Sequence, residues 1–309
     1  MNDYSLATPV ILLIFNRPET TARVFAVIRA ARPARLFVIA DGPRPDRPDD
    51  AQRCAAARAI TEQVDWPCMV VRDYAPTNLG LAKRVASGIN AVFAEVEEAI
   101  ILEDDCLPDA SFFRFCSELL AYYRDDRRVM AIAGDNFQRR RQRELGSYYF
   151  SRYNHCWGWA TWRRAWAHYD HTMRLWPTLR DGGWLDDIFD TRRAARFWAT
   201  LFQAVYQGRV NSWAFRWTLA CWAQSGLTIL PQRNLVTNIG FGQDATNTSI
   251  ALSDRQVAAQ VMPFPLRHPQ FVVRDARADR FTQAVLFTPN LLWRVRNRLR
   301  RLVAARLPR

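Results

Sequence analysis

Residues 99–109, AIILEDDCLPD, decide how this chain is read. Ala99, Ile100, Ile101 and Leu102 form a continuous apolar run with Pro108 soon after, the pattern of a central parallel strand buried on both faces. Glu103, Asp104 and Asp105 then fall at the carboxyl end of that strand, the end at which open α/β sheets bind ligands. Carboxylates held together repel one another unless something cationic neutralises them. The triplet alone leaves two readings open. One is a solvated acidic turn. The other is a site for Mg²⁺ or Mn²⁺ carrying a diphosphate, because hard cations take one or two carboxylates and fill the remaining positions with phosphate oxygens and water.

Upstream, the pattern is that of a parallel sheet. An apolar strand from Val10 to Phe15 stops at Asn16-Arg17-Pro18. A helix beginning near Glu19 or Thr20, helical in character from Ala22 to Ala31, leads to a second strand, Leu36 to Ala40, closed by Asp41-Gly42-Pro43-Arg44. Strand, helix, strand is the βαβ unit. A helix over Ala51 to Gln63, a strand around Cys68 to Arg72 and a helix over Ala82 to Val96 continue the alternation up to the acidic strand. Arg17 and Asp41 both sit at strand carboxyl ends, and the planar donor fork of Arg17 suits a phosphate or a base. Lys83 and Arg84 stand in the first turn of a helix, against its dipole. That placement suits an anion shared with the helix N-terminus, and equally a solvated surface pair. No GxGxxG and no GxxxxGK[ST] occurs in these turns, which argues against a dinucleotide-binding dehydrogenase and a P-loop enzyme.

Composition narrows the partners. With 309 residues, 49% of them hydrophobic, the chain can bury a large core. A formal net charge of +13 calls for an acidic partner: nucleic acid, anionic lipid or a phosphorylated substrate. Six cysteines without a CxxC pair or zinc spacing suggest reduced thiols. The absence of a leader pattern and of any transmembrane-length apolar stretch sets the expectation of a cytoplasmic protein. Tryptophans crowd the tract from Tyr148 to Trp222, and most are expected in the core. Trp157 and Trp159, either side of a glycine in CWGW, are the two read as sugar-stacking. His155, His168, His171 and His268 lack metal-ligand spacing and are read as structural.

Beyond these single residues, the run ILEDDCLPDASFFRFCSELLAYYRDDRRVMAIAGDNF resembles the metal-binding region of the inverting GT-A glycosyltransferases that include N-acetylglucosaminyltransferase I, and of related bacterial family 2 sugar transferases. PVILLIFNRPET, VIADGP and NLGLAKRV resemble the nucleotide-binding segments of those families, and NHCWGWATWRRAW and NLVTNIGFGQDATNT resemble segments of the bacterial members. The resemblance spans roughly residues 8–250. It implies a GT-A-type, Rossmann-like α/β fold with a mixed, mainly parallel sheet flanked by helices. It further implies transfer of a sugar, with inversion, from a nucleotide diphosphate sugar, UDP-sugars favoured, to a saccharide or lipid-linked acceptor, as in bacterial-type surface polysaccharide synthesis.

Residue by residue, the resemblance implies Asp105 as a direct ligand of Mn²⁺ or Mg²⁺, with Asp104 beside it at the metal or its water shell. Glu103, a catalytic candidate, and Asp104 would face the ribose, the sugar or the metal's water shell. Asn16, Arg17 and Asp41 would frame the nucleotide, with Asp41 accepting from a uracil-type base and Lys83 or Arg84 near the base or diphosphate. An inverting transferase also needs a base for the acceptor hydroxyl. In the family this is an Asp after a Trp, and the matching position in SWAFRW is Ala214, after Trp213. Asp244, in the Gly-bounded GFGQDATNT, is the first candidate to replace it, ahead of Asp186 and Asp187.

The expected organisation is a transferase domain over 1–250, with a nucleotide-binding half 1–110 and an acceptor half 111–250. An extended, proline-interrupted crossing over 251–289 and a basic amphipathic helix over 290–309 follow. That last stretch carries Arg294, Arg296, Arg298, Arg300, Arg301, Arg306 and Arg309 with no acid. It suits an anionic membrane surface, and equally a helix docked on the catalytic domain. Two other readings stand beside the transferase: a catalytically impaired sugar-nucleotide-binding protein, argued from Ala214, and a basic nucleic-acid-binding protein, for which no recognition motif is present.

Overall fold

In the computed structural model, which describes residues 6–138, 146–240 and 257–288, the apolar runs are strands and the amphipathic runs between them are helices. The first half alternates β1 (Val10–Ile14), α1 (Pro18–Ala31), β2 (Arg35–Ala40), α2 (Asp50–Thr61), β3 (Met69–Tyr74), α3 (Leu81–Glu95) and β4 (Glu98–Glu103). β1 pairs in parallel with β2 on one side and with β4 on the other, and β2 pairs in parallel with β3. α1 begins at Pro18, one or two residues before the start near Glu19 or Thr20 expected from sequence. Proline suits the first helical turn, where its missing N–H and fixed φ cost nothing.

The second half adds β5 (Cys106–Pro108), α4 (Ser111–Tyr122), β6 (Val129–Ala133), β7 (Tyr148–Ser151), β8 (Trp159–Trp162), α5 (Arg163–Trp166), α6 (Trp176–Asp181) and α7 (Trp184–Ile188). After these come α8 (Arg192–Tyr206), α9 (Trp213–Ala223), β9 (Leu227–Pro231), β10 (Val236–Asn238) and α10 (Ala276–Thr282). The main sheet runs β3-β2-β1-β4-β8-β6-β9-β7, and a small antiparallel pair joins β10 to β5. β8 is antiparallel to both β4 and β6, whereas β6 and β9 are parallel. This is the mixed, mainly parallel, helix-flanked sheet that the GT-A resemblance implied. The pairing of β4 with β8 carries one sheet through both of the expected halves.

Side-chain alternation along the buried strands separates two cores. Val10, Leu12, Ile14, Leu36, Val38, Ile100 and Leu102 face one, with α1 and α4. Ile11, Leu13, Phe37, Ile39 and Ile101 face the other, with α3, α8 and α9. Helices on both faces are why these strands read as unbroken apolar runs. Most of the tryptophans pack into the second core, as expected: Trp159, Trp166, Trp176, Trp198, Trp213, Trp217 and Trp222 are all buried there.

The segment after β10 departs from expectation. Residues 257–275 contain no helix, but the chain then forms α10 and a π-helical turn, Gln283–Phe287, instead of remaining extended. Asp275 caps α10 by accepting from the N–H groups of Arg277 and Ala278. Asp279, buried on that helix, accepts from Ser151 Oγ at 2.5 Å and so ties α10 to β7. Asp244 and the basic stretch 290–309 lie outside the described residues. No helix among the described residues is long and apolar enough to cross a membrane. All six cysteines are described, and none is in a disulfide.

Candidate functional site

The chain order reverses between β1 and β4, because β2 and β3 build outward on one side of β1 before the chain returns to add β4 on the other. Outside the carboxyl ends of strands at such a switch point, an open sheet has a crevice. Leu13 of β1 is paired with Glu103 of β4, so the residues that leave β1 lie beside the acids that leave β4. The Phe15 N–H donates to Asp104 Oδ2 at 3.0 Å. Arg17 Nη1 donates to Asp105 Oδ2 at 2.9 Å and lies 3.9 Å from Asp104 Oδ1. Two distant stretches of sequence thus meet as one charged cluster.

Its electrostatics are strained. Burial, then the charges of Asp105 and Asp104, push the Glu103 carboxyl up to about 8, while Arg17 and a hydrogen bond from Trp213 pull it back. Burial and Asp105 push Asp104 up to about 7. One guanidinium does not neutralise three acids, and a divalent cation relieves the same repulsion. Among the described residues no group of three or more His, Cys, Asp and Glu side chains is gathered as a metal site. That count still fits Mg²⁺ or Mn²⁺, which need only one or two carboxylates when substrate phosphates complete the shell. Asp104 and Asp105 are oxygen donors of the right kind.

Above the cluster opens a cavity of about 670 Å³, walled by the ends of β1, β2 and β4 on one side and by residues from 135–157, α9 and the π-helical turn on the other. Gly240 closes against the acids: a side chain there would collide with the Asp105 carboxylate, and the neighbouring Ile239 N–H donates to the Asp105 carbonyl at 2.8 Å.

Asp41 lines the cavity with both oxygens engaged. Oδ1 accepts from the N–H groups of Gly42 and Leu79, and Oδ2 from Gly80 N–H and Asn78 Nδ2. Three of these four bonds hold the 78–80 turn and the fourth holds Gly42, so a nucleobase seeking a bond to Asp41 has to displace one of these donors. Arg84 is buried in the same wall, donating to the carbonyls of Ala40 at 3.1 Å and Asp73 at 2.5 Å. Its neighbour Lys83 is exposed and does not line the cavity, because a helix turns successive residues to different faces.

Asn16 is likewise outside the cavity lining: its amide donates to Asp50 Oδ1 at 2.7 Å. Asp50 is held down at about 2, chiefly by hydrogen bonds from Arg44. Arg44 does line the cavity, with its guanidinium 5.3 Å above the Phe15 ring. Nothing in the sequence beyond its place after the β2 turn marked it.

Trp157 and Trp159 part company. Trp157 lines the cavity and meets Phe137 edge-on at 5.1 Å. Trp159 is a core residue, correcting its reading as a sugar platform: it sits inside β8, 1% exposed and stacked on Trp213 at 5.3 Å. Gly158, with φ +67°, makes the bend between them. Ala214 faces the cavity beside Trp213, so a methyl group stands where the resemblance expects a carboxylate. Asp186 and Asp187 are exposed in the first turn of α7 and do not line the cavity.

Sequence reasoning missed Asp135 and set His155 aside as structural, yet both line the cavity. Leu286 and Phe287 reach it from the π-helical turn. The only sequence signal for Asp135 was its position just after an apolar run, the same signal that marked Asp41.

No protein-family model matches the sequence, and no curated protein matches it. Solved structures similar to this chain include a cytidylyltransferase from Leptospira borgpetersenii, at 15% identity over 57% of this chain and 67% of that one, with a TM-score of 0.33. The galactosyltransferase LgtC in complex with donor and acceptor sugar analogs matches at 12% identity over 56% of this chain and 66% of its own, TM-score 0.33. An apo UDP-glucose pyrophosphorylase matches at 9% identity over 75% and 93%, TM-score 0.36. Likeness at this level leaves the functional argument to the residues of the site.

Proposed function

We propose that this chain is a nucleotide-sugar transferase of the inverting GT-A type, moving a sugar from a UDP-sugar to a saccharide or lipid-linked acceptor with Mn²⁺ or Mg²⁺ as cofactor. The observation that carries the reading is the convergence of Phe15, Arg17, Glu103, Asp104 and Asp105 at the switch point between β1 and β4, at the floor of a cavity large enough for a nucleotide sugar. Asp104 and Asp105 would hold the metal, which as a Lewis acid stabilises the charge that builds on a leaving diphosphate. Arg17, already paired with Asp105, brings a fixed positive charge to the place where that diphosphate sits. The wall built by Asp41, Asn78 and Arg84 fits a base and ribose, and Trp157 offers an aromatic face to a sugar.

Calorimetric titration with UDP, in Mn²⁺ and in chelator, tests the reading together with UDP release from a panel of UDP-sugars. UDP binding at least about tenfold tighter in Mn²⁺ is expected. Equal affinity in chelator would remove the metal from the proposal, and no UDP binding in either condition would remove the nucleotide. A second reading, a sugar-nucleotide-binding protein without transfer, is favoured by Ala214 alone. Its signature is metal-dependent UDP binding with no turnover of any donor.

A further inference from the structure

The proposed transfer needs a group to remove the acceptor proton, and Ala214 brings none to the cavity. The opposite wall does. Asp135 follows β6 at its carboxyl end and lines the cavity, two strand positions along the sheet from β4. At the usual inter-strand spacing that separation is about 10 Å, room for a sugar ring between the two sets of carboxylates.

Asp135 differs from the other buried aspartates among the described residues. Asp41 accepts four hydrogen bonds, Asp50 accepts from Asn16 and Arg44, Asp104 accepts from the Phe15 N–H, and Asp279 accepts from Ser151. Asp135 is 1% exposed, and its Oδ1 has no hydrogen-bond partner among the described residues. Its Oδ2 lies 3.8 Å from His155 Nδ1, beyond hydrogen-bond reach. The imidazole brings no compensating charge either: burial pushes His155 down to about 3, and its ring rests against Phe137 at 5.0 Å.

The loop cannot easily turn this carboxyl out to water. Gly134 N–H donates to the Gly158 carbonyl at 2.7 Å, Asn136 N–H to Asn234 Oδ1 at 2.9 Å, and Gln138 N–H to Asn136 Oδ1 at 2.7 Å. A buried polar atom without a partner opposes folding, so one held rigidly at a cavity wall marks a site where a ligand completes it.

We propose that Asp135 is the general base of the transfer, an inference that rests on the transferase reading. Burial raises the Asp135 carboxyl well above the usual carboxylate range, so the acting species is the form that has first given its own proton to solvent. That carboxylate takes the proton of the acceptor hydroxyl as the acceptor oxygen forms its bond to the anomeric carbon. The bond from that carbon to the diphosphate oxygen breaks, and its electron pair leaves with the nucleoside diphosphate. Asp135, now a carboxylic acid, returns the proton to solvent after the product departs.

The test measures UDP release from UDP-glucose, UDP-galactose and UDP-N-acetylglucosamine, with p-nitrophenyl glycosides as acceptors, beside UDP calorimetry in Mn²⁺. Asp135→Asn keeps the shape of the side chain and should cut UDP release about 100- to 10,000-fold while UDP affinity changes by no more than about threefold. Added formate should restore release to Asp135→Ala by entering the space vacated by the carboxylate, a rescue that a purely structural role would not permit. Asp135→Asn with turnover equal to wild type overturns the assignment and leaves the transferase reading standing, as does an Asp244→Asn variant that alone loses turnover. Wild-type protein that binds no UDP with Mn²⁺ overturns both.

Discussion

The two walls of the cavity are built differently. On the β1–β4 side, charges are answered by neighbours: Arg17 meets Asp105, the Phe15 N–H meets Asp104, and four donors surround Asp41. On the β6–β8 side, Asp135 and His155 are buried with little to answer them, and the rest of that wall is largely aromatic. A wall with its polar groups satisfied is rigid before any ligand arrives, which on the proposed reading suits recognition of an invariant nucleotide. A wall with an unsatisfied carboxyl keeps its polar capacity for the reacting molecule, at a cost in stability.

The comparison breaks first at Asp105. On the proposed reading, Asp105→Asn should abolish the Mn²⁺ dependence of UDP binding and lower UDP release by roughly 1,000-fold, as loss of about 4 kcal/mol of leaving-group stabilisation would. Retained Mn²⁺ dependence would show that Asp105 does not hold the metal and serves instead as the partner of Arg17.

Asp41 sharpens the contrast between a wall-building and a base-reading carboxylate. Because its acceptor positions are filled within the fold, Asp41→Ala should cost about 3 kcal/mol and lower Tm by roughly 6 °C or more, weakening UDP as a consequence. An unchanged Tm with weakened UDP would instead point to a direct contact with the base.

The smallest effect concerns His155, on the other wall. Unfolded, its imidazole binds a proton near its ordinary 6.5, but folded it resists until about 3. Unfolding therefore takes up a proton in that window, and stability present above pH 6.5 is lost as the pH falls, by about 1.4 kcal/mol per pH unit for this one group. Urea unfolding of His155→Phe between pH 4 and 7 should show a flatter slope than wild type. Equal slopes would mean that the imidazole is protonated in the fold and already paired with Asp135.

How far each wall was legible follows from how it is assembled. β1, β2 and β4 are five or six residues long and almost fully buried, so their apolar runs stood out, and the acids and Arg17 followed them directly in the chain. The opposite wall draws on residues 135, 155, 157, 214 and 287, which no local pattern links. CWGW drew attention to both tryptophans, but only the left-handed backbone at Gly158 separates Trp157 in the cavity from Trp159 in the core. The helix α10 was hidden because its seven residues carry no apolar stripe long enough to announce it. Arg44 was hidden because a cation after a turn looks the same whether it is solvated or held by Asp50 over Phe15.

By itself, then, the sequence determined the alternation of strands and helices, the acidic strand end and the absence of a carboxylate at Ala214. Each of these follows from short-range periodicity or from the identity of a single residue. Only the tertiary structure decided that β1 and β4 lie side by side, so that Arg17 faces Asp105, and that Asp135 is enclosed in the same cavity with its Oδ1 unpartnered among the described residues. Pairing between strands distant in sequence, and the loss of water around a side chain, are properties of the packed chain, and no local run of residues encodes them.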